Sequence, residues 1–234
     1  MHKNHHQYYN QKYFIARDHL DLHMAETIKI LLQKNHYKKI LDIGCGTGKL
    51  VFFLNQNKFK AFGCDRSITA VKFAQKINGG GKIIQASAVK LPYKNCSFDM
   101  ITAISIIEHL SQKQIAVFLK ESKRLLVKNG MLFIVTPNFS TPIRYFQGKN
   151  WFGFSDPTHI NFFSTNTLIA QLKQYNFSNF KTFFSTKFTS DFDWDLPGFL
   201  QSLPKFIKSM ILFLLISTPL SFIRNSFWLS ARKQ

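Results

Sequence analysis

Few side chains in this 234-residue sequence have the type and spacing to do chemistry, and they fall into three groups. The first is Asp42 with Gly44, Gly46 and Gly48, alternating glycines between the apolar runs 40–43 and 50–54. A strand, tight turn and helix in that order turn backbone N–H groups and a positive helix end toward a ligand. The second is Asp65, which ends the short apolar run 60–64. It follows the glycines at about the 20-residue distance at which a nucleotide-binding half-domain sets a carboxylate against two ribose hydroxyls. The third is two separate histidines, His109, which follows Glu108, and His159 on an aromatic segment. A neutral imidazole can take a proton from a hydroxyl near neutral pH. Plainer roles stand beside these. Asp65 and Ser67 are both good caps for a helix over 68–77, His109 can orient a substrate or cap the next helix, and His159 can pin an aromatic loop.

The elements that must position these groups alternate along the chain. Apolar positions between residues 8 and 35 have helical spacing, and strands are expected over 39–43, 60–65, 82–88, 99–107, 131–138, 180–187 and 225–233. Helices follow the glycines, Asp65, His109 and Ser164, with Lys128-Asn129-Gly130 as the stop of the third and Asn176-Phe177 as the turn after the fourth. A dinucleotide fingerprint needs glycine where Lys49 stands, and a phosphate loop needs a different spacing before that lysine and a hydroxyl where Leu50 stands.

With Asp42 before the glycines, residues 41–48 resemble the first motif of class I S-adenosylmethionine-dependent methyltransferases, L-D-x-G-x-G-x-G. Further blocks follow in the family's order: Leu91-Pro92-Tyr93 to Ser97-Phe98-Asp99, Ile106-Ile107-Glu108-His109, Asn129-Gly130 to Thr136-Pro137-Asn138, and His159 to Phe163-Ser164. The resemblance implies a Rossmann-like α/β fold, a seven-stranded and mostly parallel sheet with helices on both faces and an antiparallel seventh strand. It implies S-adenosylmethionine as cofactor, held by Asp42, Gly44, Gly46, Gly48, Asp65, Ser87 and Ala88, with His159 and His109 as candidate catalytic residues. Tyr8, Tyr9 and Tyr13 would form part of a lid over the cofactor. Ser87 is a departure, because most members carry an aspartate there for the adenine amino group; a hydroxyl still accepts that bond without charge assistance. Relatives that methylate polyprenyl quinones carry a further glutamate three residues before Glu108, where a divalent metal is implied. Here that residue is Ser105, and no metal is assigned. The N/D-P-P-Y motif of base amino-methylases is replaced by Ala103-Ile104-Ser105-Ile106, which disfavours that acceptor.

Composition bounds the partners. A formal charge of +19 predicts a wide positive field, suited to nucleic acid or an anionic membrane, although an A/T-biased genome gives the same lysine-rich chain. Three cysteines, Cys45, Cys64 and Cys96, have no metal spacing and fit a reducing cytoplasm, and the polar start of the chain lacks a signal-peptide core. His2, His5 and His6 belong to a polar tail that binds metal only adventitiously. Residues 1–187 with 224–234 are expected to form the methyltransferase domain, interrupted by an apolar helical insertion at 188–223. Residues 210–223 carry no charge and are too few for a bilayer-spanning helix. Residues 196–223 therefore read as interfacial helices, peripheral on an anionic membrane, with a dimer interface or pocket lid as the alternative. The expected acceptor is a small or lipid-linked molecule; RNA is the second reading, and a membrane-bound protein that keeps the fold without catalysis is the third.

Overall fold

The computed structural model describes residues 10–16, 18–183, 202–217 and 224–234. Two helices, α1 (Gln11–Ala16) and α2 (Leu22–Lys34), precede the first strand. The Asp21 carboxylate caps α2 by accepting from the Met24 N–H at 3.0 Å, and Met24, Ala25, Ile28 and Leu32 form its buried face.

The alternation continues as β1 (Lys39–Ile43), α3 (Lys49–Gln56), β2 (Lys60–Asp65), α4 (Ile68–Asn78), β3 (Ile83–Gln85) and β4 (Phe98–Ile104). A 3₁₀ turn at Ile107–His109 leads to α5 (Gln112–Leu125), β5 (Leu126–Pro137), α6 (Ile143–Gln147), α7 (Phe152–Ser155), α8 (Thr165–Gln174), β6 (Phe177–Phe183), α9 (Lys205–Ser217) and β7 (Ser226–Lys233). The seven strands form one sheet in the order β3-β2-β1-β4-β5-β7-β6. β1 to β5 pair in parallel, and β7 is antiparallel to both β5 and β6. This is the expected Rossmann-like architecture.

Strands buried on both faces explain the near-continuous apolar runs at 40–43 and 131–135. One core packs β1, β4, β5 and β7 against α5 and α8, with Phe98, Phe118 and Phe227 fully buried. The other packs α2, α3 and α4 on the opposite face, around Ile28, Val51, Leu54 and Phe133. Strand order reverses between β1 and β4, so the carboxyl ends of these two strands open the crevice where ligands bind in such sheets.

Several boundaries differ from the sequence reading, each for a local reason. β4 ends at Ile104 because Ser105 takes a left-handed conformation (φ 52°) that turns the chain into the 3₁₀ turn. α5 stops at Leu125, and Lys128-Asn129-Gly130 lies inside β5. There Asn129 is also left-handed (φ 61°), and a Cβ on Gly130 would stand 2.9 Å from the Val127 carbonyl, so the apparent helix stop is a strand irregularity. β3 is shorter than expected, leaving the sheet before Ala86. β6 begins at Phe177, directly after left-handed Asn176 (φ 56°); residues 184–187 lie outside the described residues. So do residues 188–201 and 218–223 of the expected insertion, while α9 stands between β6 and β7. No helix among the described residues is long and apolar enough to cross a membrane.

Candidate active site

The glycine turn is zipped to β2. The Cys64 carbonyl accepts from the N–H groups of Gly44 and Cys45 at 2.8 and 3.0 Å. Asp65 ties the turn to the next helix. Its Oδ2 accepts from the Gly46 N–H at 3.0 Å, its Oδ1 accepts from the Ser67 N–H at 2.8 Å, and Ser67 in turn caps α4. The glycine turn and the cap region of α4 thus share one carboxylate. Burial raises its pKa, opposed by the Ser67 and Gly46 N–H groups.

The three glycines have different duties. At Gly44 (φ +74°) a Cβ would overlap the Ile106 side chain, whereas around Gly46 there is open space. Gly48 (φ +79°) is the N-cap of α3; a Cβ there would stand 2.7 Å from the Ala74 Cβ, and its carbonyl accepts from Asn78 Nδ2 at 3.0 Å. It is a helix-packing glycine behind the turn. Asp42 is buried at the end of β1, opposite its register partner Thr102, whose hydroxyl donates to Asp42 Oδ1 at 2.7 Å. Burial pushes the Asp42 pKa up to about 7 against that hydrogen bond, with the Asp65 charge adding to the rise.

These groups border a cavity of about 930 Å³ at the carboxyl ends of β1, β2 and β4. Asp42, Gly44, Gly46, Asp65, Ser87 and Ala88 line it; Gly48 does not. From the N-terminal helices come Tyr13, Phe14, His19, Leu20 and Met24, and Lys49 clamps this cover by donating to the Asp18 carbonyl at 2.7 Å and pairing with its carboxylate at 3.1 Å. Tyr8 and Tyr9 lie outside the described residues. His109, Phe152, Ile160, Arg224 and Trp228 complete the lining.

His109 and His159 meet although 50 positions apart: their rings are 4.7 Å apart, centre to centre. The segment carrying His159 is laced to the 3₁₀ turn, since Ile160 and Asn161 donate N–H bonds to the Glu108 carbonyl at 2.9 and 3.1 Å. His109 Nδ1 lies 3.2 Å from the Thr158 carbonyl and 2.9 Å from its hydroxyl, and that hydroxyl donates to Asp156 Oδ1 at 2.5 Å. His159 Nδ1 lies 2.7 Å from the Gly153 carbonyl. A carbonyl only accepts, so both rings carry a proton on Nδ1. Glu108 is 1% exposed; its Oε2 accepts from the Thr136 hydroxyl at 3.0 Å, while Oε1 has no hydrogen-bond partner. Burial pushes its pKa up to about 8, opposed by its own backbone N–H and by Thr136, with the Asp156 charge adding to the rise. Of the two histidines, His109 lines the cavity and His159 does not.

No site role was read for Thr102, Thr136, Asp156 or Thr158: Thr102 carries no pattern until its register partner is known, and the other three act through contacts with the turn after β4 or with each other. Asp99, part of a recognised block, is absent from the cavity wall. Its Oδ2 accepts from the Lys38 and Lys39 N–H groups, both at 2.8 Å, and anchors the start of β1.

Residues 15–182 match the family model described as a methyltransferase domain. The chain is 33% identical over 112 residues to a probable tRNA methyltransferase 9B of Bos taurus, covering 47% of this chain and 24% of that protein. It is 36% identical over 103 residues to a ubiquinone biosynthesis O-methyltransferase of Pelagibacter ubique, covering 43% and 42%. The chain thus spans less than half the length of these two relatives. Among solved structures, a SAM-dependent methyltransferase from Archaeoglobus fulgidus superposes with a TM-score of 0.60 at 20% identity, over 89% of this chain and 94% of that one, which shows the shared fold. The chain belongs to the methyltransferase domain family.

Proposed function

We propose that this protein transfers the methyl group of S-adenosylmethionine to a hydroxyl oxygen of a small or lipid-linked acceptor. One observation carries the reading: a single cavity has a carboxylate and glycine-turn end, at Asp42, Gly44, Gly46, Asp65, Ser87 and Ala88, and an imidazole and apolar end, at His109, Phe152, Ile160 and Trp228. The first end suits the ribose and amino-acid parts of the donor. The second suits an apolar acceptor with one polar atom.

An oxygen lone pair of the acceptor attacks the methyl carbon as the carbon–sulfur bond breaks, the sulfonium becomes a thioether, and the acceptor's proton leaves at the His109 corner. Alignment of the two ligands supplies most of the acceleration. His159 packs against His109. The likeness to a ubiquinone biosynthesis O-methyltransferase supports an oxygen acceptor. Exposed Phe206 and Met210 on α9, with the positive charge, support an insertion at 188–223 that rests on an anionic membrane, near a lipid-linked substrate.

The test is labelled S-adenosylmethionine offered with pools of phenols, quinols, lipids and total RNA. Label in a phenol or lipid oxygen is expected. Label in RNA alone overturns the reading in favour of an RNA acceptor, which the charge of +19 and the likeness to a tRNA methyltransferase support; RNA binding would then weaken steeply with salt.

A further inference from the structure

Three potential metal ligands converge at the His109 corner. One oxygen of Glu108 and one nitrogen each of His109 and His159 lie within 4.8 Å of one another. Glu108 Oε1 is buried without a hydrogen-bond partner, a costly state for a carboxyl oxygen unless something else meets it. Both imidazoles have Nδ1 against a backbone carbonyl, of Thr158 and of Gly153. That outer bond fixes the tautomer and makes Nε2 the electron-pair donor, the arrangement found around metal-bound histidines. Outer partners continue beyond these: the Thr158 hydroxyl links His109 to Asp156, and the Thr136 hydroxyl holds Glu108 Oε2.

We propose that Glu108, His109 and His159 bind one divalent cation of the Zn²⁺ or Co²⁺ class through a carboxylate oxygen and the two Nε2 atoms. A set with two nitrogens and one oxygen suits borderline transition metals, whereas Mg²⁺ prefers oxygen ligands and retained water. Three protein ligands leave coordination positions open toward the cavity that His109 lines. A cation there supplies positive charge that favours the ionised form of an acceptor hydroxyl. With a proton on Nδ1 and Nε2 on the cation, His109 acts as a ligand and not as a base, and the acceptor's proton passes to solvent as its hydroxyl ionises, a refinement that rests on the oxygen-acceptor reading above.

The test uses the full chain with His2, His5 and His6 changed to Gln, so that the tail contributes no ligands. Calorimetry with ZnCl₂ and visible absorption with CoCl₂ should give one equivalent bound, undisturbed by excess MgCl₂. Glu108→Gln and His159→Gln should each weaken binding at least ~10-fold, since even outer-partner changes cost that much at metal sites. Calorimetry with S-adenosylmethionine checks that each variant is folded. His159→Gln, at a partly exposed loop, keeps the test valid should the buried Glu108 change unfold the chain. A parent protein that binds S-adenosylmethionine but takes up no stoichiometric Co²⁺ or Zn²⁺ overturns the metal site and leaves the methyltransferase reading intact. Equal Co²⁺ affinity in parent and His159→Gln overturns the ligand set.

Discussion

At the end of the cavity that we assign to the donor, the lining from residues 42–88 is one stretch, and its glycine turn is ordered by short-range backbone bonds to Cys64 and Asp65. The acceptor end is assembled from side chains of the turn after β4, the segment before α8 and the start of β7, segments that meet only when the sheet closes. Backbone geometry suits a ligand common to many enzymes. Side chains from scattered segments can vary one at a time, so the acceptor end is where specificity can change without loss of the donor site.

The largest expected effect lies within the donor half. Folded Asp42 binds its proton with a pKa of about 7, well above an unfolded aspartate. Its contribution to apo-protein stability is therefore fully present below about pH 4 and is lost as pH rises toward 7, by up to on the order of 4 kcal/mol. Urea unfolding of wild type against Asp42→Asn should show a difference that changes through that window and levels off above it. A constant difference would mean Asp42 is ionised throughout. Next, Asp65→Ala should weaken S-adenosylmethionine binding by about 100-fold, the worth of charge-assisted hydrogen bonds to a ribose diol; calorimetry that finds unchanged affinity would refute the ribose role.

Gly48→Ala should cost about 2 kcal/mol of stability through its left-handed φ and the Ala74 contact, while cofactor affinity of the folded protein stays unchanged. Loss of affinity would move Gly48 into the site. The smallest effect tests the other half. Trp151 is fully buried and donates from Nε1 to Asn225 Oδ1 at 2.8 Å, so Trp151→Phe should cost about 1 kcal/mol and weaken acceptor use alone. An equal fall in cofactor affinity would show that the two halves are one cooperative unit.

The same contrast explains what the sequence disclosed. The glycine turn, Asp65 and the succession of strands along the chain were legible because their determinants are local or recur at fixed intervals. The Gly48 duty was not, since the helix it packs against, α4, lies 20 residues on and its contact depends on a crossing that spacing does not encode. Glu108, His109 and His159 were each visible, yet their convergence depends on two N–H bonds to the Glu108 carbonyl that no periodicity announces. At Lys128-Asn129-Gly130, helix-stop chemistry and strand-bulge chemistry use the same residues, and pairing of β5 with β4 and β7 decided between them.

The position of β7 between β5 and β6 has a consequence for synthesis. Its partner strand β5 leaves the ribosome well before it, and until β7 arrives one edge of β5, apolar from Met131 to Val135, has no neighbour to pair with. A nascent chain at that stage can already hold the donor turn but lacks Arg224 and Trp228 from the lining. Completion of the cavity lining thus waits on β7, and the unpaired β5 edge leaves a stalled or truncated chain open to aggregation.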